Sequence, residues 1–316
     1  MSTLLDVVVR DMRAQARDIV SIELAPAVAG TVLPSAEAGA HIDLHLPSGL
    51  VRQYSLTRPE ARPATYTVAV GRDANSRGGS RWIHEQLRVG TRLRIGAPRN
   101  NFALDPAHRR VLLLAGGIGI TPIYAMAQTC DAEARDWQLH ACARSAARLP
   151  YQEELRALAG DRMTLHFDDV QGRPCDFRAL LGRQRWDALY ACGPAPMLAA
   201  VREAAAHWPA EAVRFELFQA PETPQATRRA FELVLARAET TTTVSQDESV
   251  LDALERLGIE HPCACREGIC GSCEATLLEG QAEHCDMVLS PAERAANRRF
   301  MVCVSRCAGD RLVLDL

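Results

Sequence analysis

Four cysteines near the C-terminal end form the clearest chemical pattern in this sequence. Cys265, Cys270 and Cys273 follow the spacing C-x4-C-x2-C, and Cys303 comes 30 residues after Cys273. Plant-type loops use this spacing for the four thiolates that hold the two irons of a [2Fe–2S] cluster. Gly268 lies between these cysteines, where a loop that wraps a cluster must turn sharply and bring backbone N–H groups close to sulfur. The sequence therefore predicts an iron–sulfur centre bound by these four cysteines.

Two other interpretations of the cysteines remain open at this level, a structural zinc site and a set of inert buried thiols. Zinc sites with four cysteines usually contain two close pairs, whereas this segment contains one C-x2-C pair. Cys303 and Cys307 do not form a second pair of that kind, because three residues separate them. Three cysteines lie outside the ligand pattern, and we interpret them as thiols packed in a small domain: Cys263, Cys285 and Cys307.

Two segments in the N-terminal part of the chain have the composition of an anion site. Arg52 and Tyr54 alternate on a predicted strand with the sequence RQYSL, so they share one face, and Ser55 lies on the other face or at a bend. A guanidinium beside an aromatic ring suits a planar ligand that carries a phosphate. The GGS segment, residues 78–80, adds the free N–H groups of a helix start, with Ser80 as the N-cap residue. The alternatives are an ordinary strand arginine beside a barrel tyrosine, and a simple turn.

A glycine-rich turn follows a strongly apolar strand in the middle of the chain. The segment AGGIGITP, residues 115–122, lies between the strand VLLLA and a predicted helix, which is the context of a dinucleotide-binding loop. Gly117 and Gly119 fit the G-x-G-x-x-G pattern, but its third glycine position holds Pro122. The CGP segment, residues 192–194, ends a later strand at the same edge of the predicted sheet, where ligands bind. We predict a nucleotide site there, with a tight βα turn and a core thiol as the alternatives.

The elements that would position these residues change in type along the chain. Before residue 99, short β-branched segments separated by Pro, Gly and Ser predict six strands of a closed antiparallel barrel, with one helical piece from Arg81 to Leu87. After Asp105, apolar strands alternate with helical stretches, which predicts a parallel sheet covered by helices. A helix opened by Ser249 and short strands, one of them over residues 300–305, surround the cysteines and predict an α+β domain. The predicted fold is multidomain, with domains at residues 1–104, 105–222 and 223–316 and a linker over residues 219–229.

Composition and charge exclude several classes of protein. The chain has 316 residues, enough for two or three domains, and its 47% hydrophobic and 24% charged residues lie near the globular average. A formal net charge of −3 gives no basic field for wrapping nucleic acid or an anionic membrane. All 36 basic residues are arginines, which excludes a Schiff-base lysine. The charge is uneven, because residues 230–316 contain 15 acidic residues against 8 arginines and so form an acidic module.

Neither the apolar segments nor the N-terminal residues predict a membrane protein. The longest apolar stretch, Val111 to Ile120, is short compared with the roughly 20 residues that cross a bilayer. Asp6 and Asp11 occupy positions that would be apolar in a signal peptide. We therefore expect a soluble, cytoplasmic protein. In a reducing compartment, the clustering of its 11 cysteines favours metal ligation over disulfides.

The order of the motifs makes the chain resemble one known family. RQYS, GGS, GGIGIT, CGP and the C-terminal C-x4-C-x2-C…C succeed one another as in phthalate dioxygenase reductase and its relatives, which include the reductase components of vanillate demethylase and of other Rieske oxygenases. The resemblance covers essentially the whole chain. It implies an FMN-binding barrel, an NADH-binding α/β domain and a plant-type ferredoxin domain, with an aromatic residue over the flavin ring. Carried over to this sequence, the implied residues are Arg52, Tyr54, Ser55, Gly78, Gly79 and Ser80 for FMN, Gly116, Gly117, Gly119, Thr121, Cys192 and Gly193 for NADH, and Phe218 over the ring, with Ser55, Cys192 and Phe218 at the reacting atoms.

The choice of coenzyme is less clear from the sequence than the choice of flavin. Arg144 and Ser145 follow the second strand of the nucleotide domain, with Arg148 nearby, and an NADPH enzyme places cations there against the 2′-phosphate. An acidic residue at that position would favour NADH, and none is present. The family nevertheless implies NADH, so we expect NADH, with NADPH possible and Arg144 as the cofactor-binding residue.

The three predicted sites together imply an electron-transferring oxidoreductase. Nicotinamide gives up two electrons as hydride, whereas a [2Fe–2S] cluster accepts one at a time, so a flavin must stand between them. The resemblance implies that the acceptor is a Rieske-type oxygenase for an aromatic or similar small substrate, as in aromatic degradation. We expect a monomer that binds neither nucleic acid nor membrane. The alternatives are the same electron chain serving a cytochrome P450 and, more distantly, a zinc-binding interaction protein.

Overall fold

The chain folds into two compact units. The computed structural model describes residues 4–74, 76–182, 186–219 and 229–316, and contacts divide the chain into an N-terminal unit, residues 1–218, and a C-terminal unit, residues 219–316. Most of the predicted linker, residues 219–229, lies outside the described residues. The three-domain division with its boundaries therefore stays a prediction.

The first sheet of the N-terminal unit is an antiparallel barrel. Its strands run in the order β4-β3-β6-β1-β2-β5, and a bridge between Leu56 and Val68 joins the two ends. Apolar side chains alternate inward along the strands, for example the fully buried Ile22 and Leu24 of β2. All six predicted strands are confirmed: β1 (Leu4–Ala16), β2 (Ile19–Pro26), β3 (His41–His45), β4 (Val51–Ser55), β5 (Tyr66–Gly71) and β6 (Arg92–Gly96).

The helix of the barrel begins earlier than the sequence predicts. Helix α1 (Gly79–Gln86) starts at Gly79, with Gly78 before it in a left-handed conformation at a φ of 96°. The prediction that Ser80 is the N-cap is therefore wrong. A glycine tolerates the left-handed conformation, so the helix can begin directly after Gly78. The Ser80 hydroxyl instead donates to the Ser76 hydroxyl at 3.0 Å and accepts from the Asp73 N–H at 3.2 Å.

The second sheet of the N-terminal unit is parallel and lies between helices. Its strand order is β11-β10-β7-β8-β9, and every pair is parallel. Strand β10 and residues 111–116 of β7 are buried throughout, as expected for a sheet with helices on both faces. The strands are β7 (Arg110–Gly116), β8 (Asp136–Ala143), β9 (Met163–Phe167), β10 (Ala188–Cys192) and β11 (Val213–Glu216). The helices are α2 (Ile120–Ala132), α3 (Gln152–Ala159), α4 (Asp168–Gln171), α5 (Phe177–Leu181) and α6 (Ala195–Ala204).

Within the N-terminal unit, hydrogen bonds join the barrel to the parallel sheet. The side-chain N–H of Gln128 in α2 donates to the carbonyl of Thr57, which follows barrel strand β4. The connection between the two sheets is held by Tyr190 of β10. Its buried hydroxyl accepts from the Asp105 N–H at 2.9 Å and lies 2.8 Å from Nδ1 of His108. The two sheets therefore fold as parts of one compact unit.

The C-terminal unit is a mixed sheet with short helices, and its strand order is β13-β12-β18-β14-β16. The side chain of Ser249 accepts from the Asp252 N–H, so Ser249 caps α7 as predicted. The predicted strand over residues 300–305 is partly wrong, because β16 ends at Met301 and the chain then turns. The elements are β12 (Phe231–Leu235), β13 (Thr240–Val244), α7 (Val250–Arg256), β14 (Glu274–Glu279), β15 (Ala282–Glu283), α8 (Pro291–Ala296), β16 (Arg299–Met301), β17 (Arg306–Cys307) and β18 (Arg311–Leu314).

The barrel, the parallel sheet and the mixed α+β unit confirm the predicted fold class. In the part of the chain that the structure describes, the helices are too short and too polar for a membrane span. The longest of them, α2, has 13 residues.

The hydroxyl of Tyr190 provides a test of the junction between the two sheets. We expect Tyr190→Phe to lower the free energy of unfolding by about 1–3 kcal/mol, because the Asp105 N–H loses its acceptor while the ring still fills the core. Urea denaturation followed by tryptophan fluorescence measures the change. His108→Ala, which keeps the Asp105 contact, should cost less. Unchanged stability in Tyr190→Phe would show that this contact does not hold the junction.

Candidate functional site

The cysteine loop of the C-terminal unit brings the four predicted ligands together in two pairs. The Sγ atoms of Cys273 and Cys303 lie 3.1 Å apart. The thiol of Cys265 contacts that of Cys270 and also that of Cys303. Each pair is close enough to share one metal, because thiolates on a tetrahedral metal with bonds of about 2.3 Å lie about 3.8 Å apart. Two pairs match the two irons of a [2Fe–2S] cluster.

Hydrogen bonds from serine and from the backbone shape the loop around these sulfurs. The Ser272 hydroxyl accepts from the Ala264 N–H at 2.9 Å and lies 3.1 Å from Sγ of Cys270. The Glu267 N–H points at Sγ of Cys265, 3.3 Å away. Hydrogen bonds from neighbouring thiols, first that of Cys270, lower the pKa of Cys265 and favour the thiolate that binds iron. The residues present therefore fit the predicted cluster.

A second segment braces the loop from outside. Gly268 has a φ of 70°, and a Cβ on it would lie 2.5 Å from Cγ2 of Val304, so only glycine fits there. The Met287 N–H donates to the Gly268 carbonyl at 2.8 Å. The carboxylate of Asp286, fully buried, accepts from the Val288 and Leu289 N–H groups and so fixes this bracing segment. Sequence analysis did not identify Asp286, although an acidic residue in an otherwise apolar stretch could have pointed to it.

Cys263 also lies among the ligand thiols, although the sequence pattern sets it aside. The Sγ atoms of Cys263, Cys273 and Cys303 all lie within 4.8 Å of one another. Cys285 and Cys307 do not join this group, because the Cys285 thiol donates to the Glu283 carbonyl and the Cys307 thiol to the Arg311 carbonyl. The spacing C-x-C before the ligand pattern was the available signal for Cys263.

In the barrel, the structure brings the RQYS strand and the GGS turn into contact. A Cβ on Gly79 would lie 2.6 Å from Nε of Arg52, so the arginine side chain packs directly against the start of α1. Arg52 is held there by hydrogen bonds to the carbonyls of Val51 and Arg77. A guanidinium beside the first N–H groups of a helix forms a cradle for a phosphate. The residues present fit the phosphate end of FMN.

Tyr54 and Ser55 continue along the same strand into the barrel. Tyr54 is partly buried against the barrel core, and burial raises the pKa of its hydroxyl far above the ordinary value, so the phenol stays neutral. Ser55 is 5% exposed and pairs with His41 of β3. Tyr54 and Ser55 lie two and three positions after Arg52 on the same strand, so one ligand could contact all three.

In the parallel sheet, the GGIG turn and the CGP turn touch through their backbones. A Cβ on Gly119 would lie 2.3 Å from the carbonyl oxygen of Cys192, and one on Gly116 would lie 2.5 Å from Sδ of Met197. A Cβ on Gly193 would lie 3.1 Å from Cα of Gly116. These three glycines are therefore required by contact between the two turns. A Cβ on Gly117 would meet no atom within 4 Å, so this glycine faces the open side of the turn, where a ligand can approach.

Thr121 has a supporting place in this turn. It is 2% exposed, and its hydroxyl donates to the Ile118 carbonyl at 3.0 Å.

Two exposed side chains lie at the same edge of the sheet. Arg144 is exposed just after β8, two residues beyond Cys142, which pairs with Gly116 of β7. Phe218 follows β11 at the same edge and is 37% exposed, which is unusual for a phenylalanine. The edge thus combines a glycine turn, a cation and an exposed aromatic ring.

Glu216 is a buried acid at this edge that sequence analysis missed. It pairs with Cys192 across β10 and β11, and its carboxyl contacts the Cys192 thiol. Its Oε2 is buried with no partner among the described residues. Burial raises the pKa of Glu216 to about 8 and that of Cys192 well above its ordinary value. Burial therefore favours the uncharged form of both groups. A glutamate inside the apolar strand VRFELF was the available signal.

Known sequences match both the C-terminal unit and the chain as a whole. Residues 234–308 match the family described as the 2Fe-2S iron-sulfur cluster binding domain. The chain is 58% identical over its whole length to a reductase subunit of the toluene-4-sulfonate monooxygenase system of Comamonas testosteroni, and the match covers 100% of that protein. It is 40% identical to a vanillate O-demethylase oxidoreductase of Pseudomonas, over 99% of this chain and 100% of that one. The domain match favours an iron–sulfur cluster over zinc.

Solved structures show the same fold over the full chain. Phthalate dioxygenase reductase matches 99% of this chain and 98% of its own, with a TM-score of 0.73 and 34% identity. An intact type IV self-sufficient cytochrome P450 monooxygenase matches 99% of this chain with a TM-score of 0.91 and 38% identity, and this chain corresponds to 41% of that one. The predicted oxidoreductase class, the predicted cluster and the predicted resemblance are confirmed. This chain belongs to the phthalate dioxygenase reductase family, the flavin- and [2Fe–2S]-dependent reductase components of oxygenase systems.

Proposed function

We propose that this chain takes hydride from NADH onto FMN and passes single electrons, through the [2Fe–2S] cluster, to a Rieske-type oxygenase that acts on an aromatic acid. The observation that carries the proposal is the full-length identity of 58% to a reductase subunit of toluene-4-sulfonate monooxygenase. When bound, the flavin and the cluster supply the conversion of a two-electron hydride into one-electron transfers. The protein's part is to hold and orient these groups.

The barrel residues hold both ends of the flavin in this proposal. Arg52 and the N–H groups at the start of α1 bind its phosphate, because both present positive charge to the same point. Gly78 and Gly79 leave room for the phosphate to approach the backbone. Ser80 supports the turn through its bond to Ser76, and its N–H belongs to the first turn of α1. Tyr54 and Ser55 line the ring, and both are neutral side chains.

The glycine turn at the start of α2 holds the pyrophosphate of the dinucleotide. Gly117 faces open space and lets the pyrophosphate reach the N–H groups at the helix start. Gly116, Gly119 and Gly193 act indirectly, since they allow the turn to pack on the CGP segment. Thr121 positions the turn through its bond to the Ile118 carbonyl.

Cys192, Glu216 and Phe218 form the wall that faces the nicotinamide. The thiol and the carboxyl touch each other and are both uncharged at neutral pH, because burial raises the pKa of each. An uncharged wall suits hydride transfer, which needs close approach and no proton donor. The exposed ring of Phe218 would be available to stack on a bound flavin or to give way to a nicotinamide ring.

The C-terminal unit forms the electron exit. Cys265, Cys270, Cys273 and Cys303 would hold the cluster, which would supply the one-electron step. Residues 230–316 carry 15 acidic residues against 8 arginines, so this unit would dock on a basic surface of the acceptor.

A cytochrome P450 is a second candidate for the acceptor. The specific observation in its favour is the TM-score of 0.91 to a chain that contains a P450 monooxygenase. The whole-length relatives in separate oxygenase systems favour the Rieske-type acceptor for this chain.

The electron path is tested by giving NADH to the anaerobic holoprotein and to its Cys270→Ala variant in a stopped-flow spectrometer. In the wild type, we expect the flavin and the cluster absorbance to bleach, followed by reduction of an added aryl sulfonate Rieske oxygenase. In Cys270→Ala, the cluster lacks a ligand, so the flavin should still bleach while reduction of the oxygenase is lost.

Cys307→Ala is the matched control, because its thiol lies outside the ligand group and should leave both steps unchanged. If Cys270→Ala reduces the oxygenase as fast as the wild type does, the proposed electron path is wrong. Reduction of a P450 instead, followed as the carbon monoxide complex, would support the second candidate.

The raised pKa of Glu216 predicts a pH-dependent contribution to stability. The native carboxyl titrates near pH 8 and an unfolded one near 4.5, so the native state holds an extra proton between these values and loses stability as the pH rises. Glu216→Gln removes this loss. We therefore compare the free energy of unfolding of Glu216→Gln with that of the wild type. The difference, variant minus wild type, should increase by up to about 1.4 kcal/mol for each pH unit between pH 5 and 8.

Urea denaturation at several pH values measures the difference between the two proteins. Glu211→Gln is the control, because residue 211 is exposed at the end of the same region. A constant difference between Glu216→Gln and the wild type across this range would show that the buried carboxyl is not protonated.

The exposed Arg144 provides a test of coenzyme choice. We expect NADH to be the better substrate, and Arg144→Ala to raise KM for NADPH about fivefold, because a surface charge pair contributes about 1 kcal/mol. KM for NADH should stay nearly constant. Arg148→Ala is the control, because Arg148 already pairs with Asp18 at 3.5 Å. Equal effects of Arg144→Ala on both coenzymes would exclude Arg144 from 2′-phosphate binding.

A further inference from the structure

The cysteine loop contains one more thiol than a [2Fe–2S] cluster needs. Residues 263–273 hold Cys263, Cys265, Cys270 and Cys273, so this loop by itself contains four cysteines. The fourth ligand of the proposed set, Cys303, comes from a different part of the chain. The position of Cys263 relative to the two pairs of ligands therefore decides whether it is a bystander.

Cys263 lies beside the pair formed by Cys273 and Cys303. Its thiol is in hydrogen-bond contact with both Cys273 and Cys303, the two cysteines whose Sγ atoms lie 3.1 Å apart. All three Sγ atoms lie within 4.8 Å of one another, whereas thiolates on one tetrahedral metal lie about 3.8 Å apart. The Cys263 sulfur therefore lies close to the place that a third thiolate on the iron of this pair would occupy.

Cys263 and Cys303 both lie outside regular strands, whereas Cys273 leads directly into one. Cys263 lies outside the helices and strands and is partly buried against the core of the C-terminal unit. Cys303 lies in the turn after β16, where the N–H groups of Val304 and Ser305 both donate to the Met301 carbonyl. Cys273, in contrast, directly precedes strand β14 and is 1% exposed. Of the two cysteines in this pair, Cys303 is therefore the one that another thiol could replace as a ligand.

We propose that Cys263 is an alternative cluster ligand, which takes the place of Cys303 on the iron also bound by Cys273. The inference rests on the four-cysteine ligand set proposed above. In the exchange, the Cys263 thiol loses a proton to water as its sulfur bonds to iron, and the Cys303 thiolate leaves iron and takes up a proton. No electron is transferred. The loop of residues 263–273 then supplies all four thiolates.

The proposal is tested by the iron content and spectra of two variants, Cys303→Ala and the double variant Cys263→Ala/Cys303→Ala. We expect Cys303→Ala to keep most of the wild-type iron, with shifted g-values in the electron paramagnetic resonance spectrum of the dithionite-reduced protein. The double variant should lose its iron. Cys263→Ala alone should keep the wild-type spectrum, because Cys303 is then in place.

Two controls separate the role of Cys263 from general effects. Cys303→Ala/Cys307→Ala removes a thiol that lies outside the ligand group, so it should keep as much iron as Cys303→Ala. A second pair of variants with Val in place of Cys303 repeats the comparison with a side chain that is larger than cysteine and cannot bind iron. Circular dichroism of each variant reports the fold of the chain independently of iron.

Each remaining outcome rejects a different statement. If Cys303→Ala and Cys303→Val lose iron as fully as the double variants do, or are recovered unfolded, Cys263 does not replace Cys303, and the ligand set stands. If the double variants keep the iron with an unchanged spectrum, Cys303 is not a ligand and the proposed ligand set is wrong. Loss of iron in Cys263→Ala alone would make Cys263 a primary ligand instead of an alternative one.

Discussion

Backbone contact between two glycine turns is the constraint on which the nucleotide half of this protein depends. The carbonyl oxygen of Cys192 occupies the place where a side chain on Gly119 would begin, so any larger residue would push the two turns apart. Because the turns touch, the start of α2, the buried Cys192 and the end of β11 meet at one edge of the sheet. The barrel uses the same device, since the absence of a side chain on Gly79 lets Arg52 lie against the start of α1.

In the C-terminal unit, side-chain hydrogen bonds, and not only glycine contacts, hold the candidate ligands in place. Its loop is irregular over the cysteines, so regular backbone hydrogen bonds do not hold it. Side chains replace them: Ser272 accepts from the backbone of Ala264, and Asp286 accepts from two N–H groups of the bracing segment. A buried acceptor with two backbone partners anchors the segment, because breaking these hydrogen bonds would leave buried polar groups unpaired. Iron–sulfur bonds would add the remaining constraint on the loop.

The two compact units also explain why this architecture recurs in different proteins. The barrel and the parallel sheet share one unit, joined through Tyr190 and Gln128, whereas the cluster domain forms a unit of its own. The same arrangement occurs as a separate chain in phthalate dioxygenase reductase and as 41% of a P450 chain. An electron donor built in this way needs only a docking surface or a covalent link to serve a new acceptor.

The local sequence determined the elements and the motifs of this protein. Alternation of β-branched residues predicted all six barrel strands, and the spacing of Cys265, Cys270, Cys273 and Cys303 predicted the cluster, because both patterns are short-range. Contacts between distant residues were decided only by the tertiary structure. The hydroxyl of Ser80 binds the preceding loop instead of capping α1, Glu216 becomes neutral because the folded sheet buries it, and Cys263 meets Cys303 from 40 residues away. Periodicity and spacing describe neighbours along the chain, whereas burial and cross-chain contact exist only once the chain has folded.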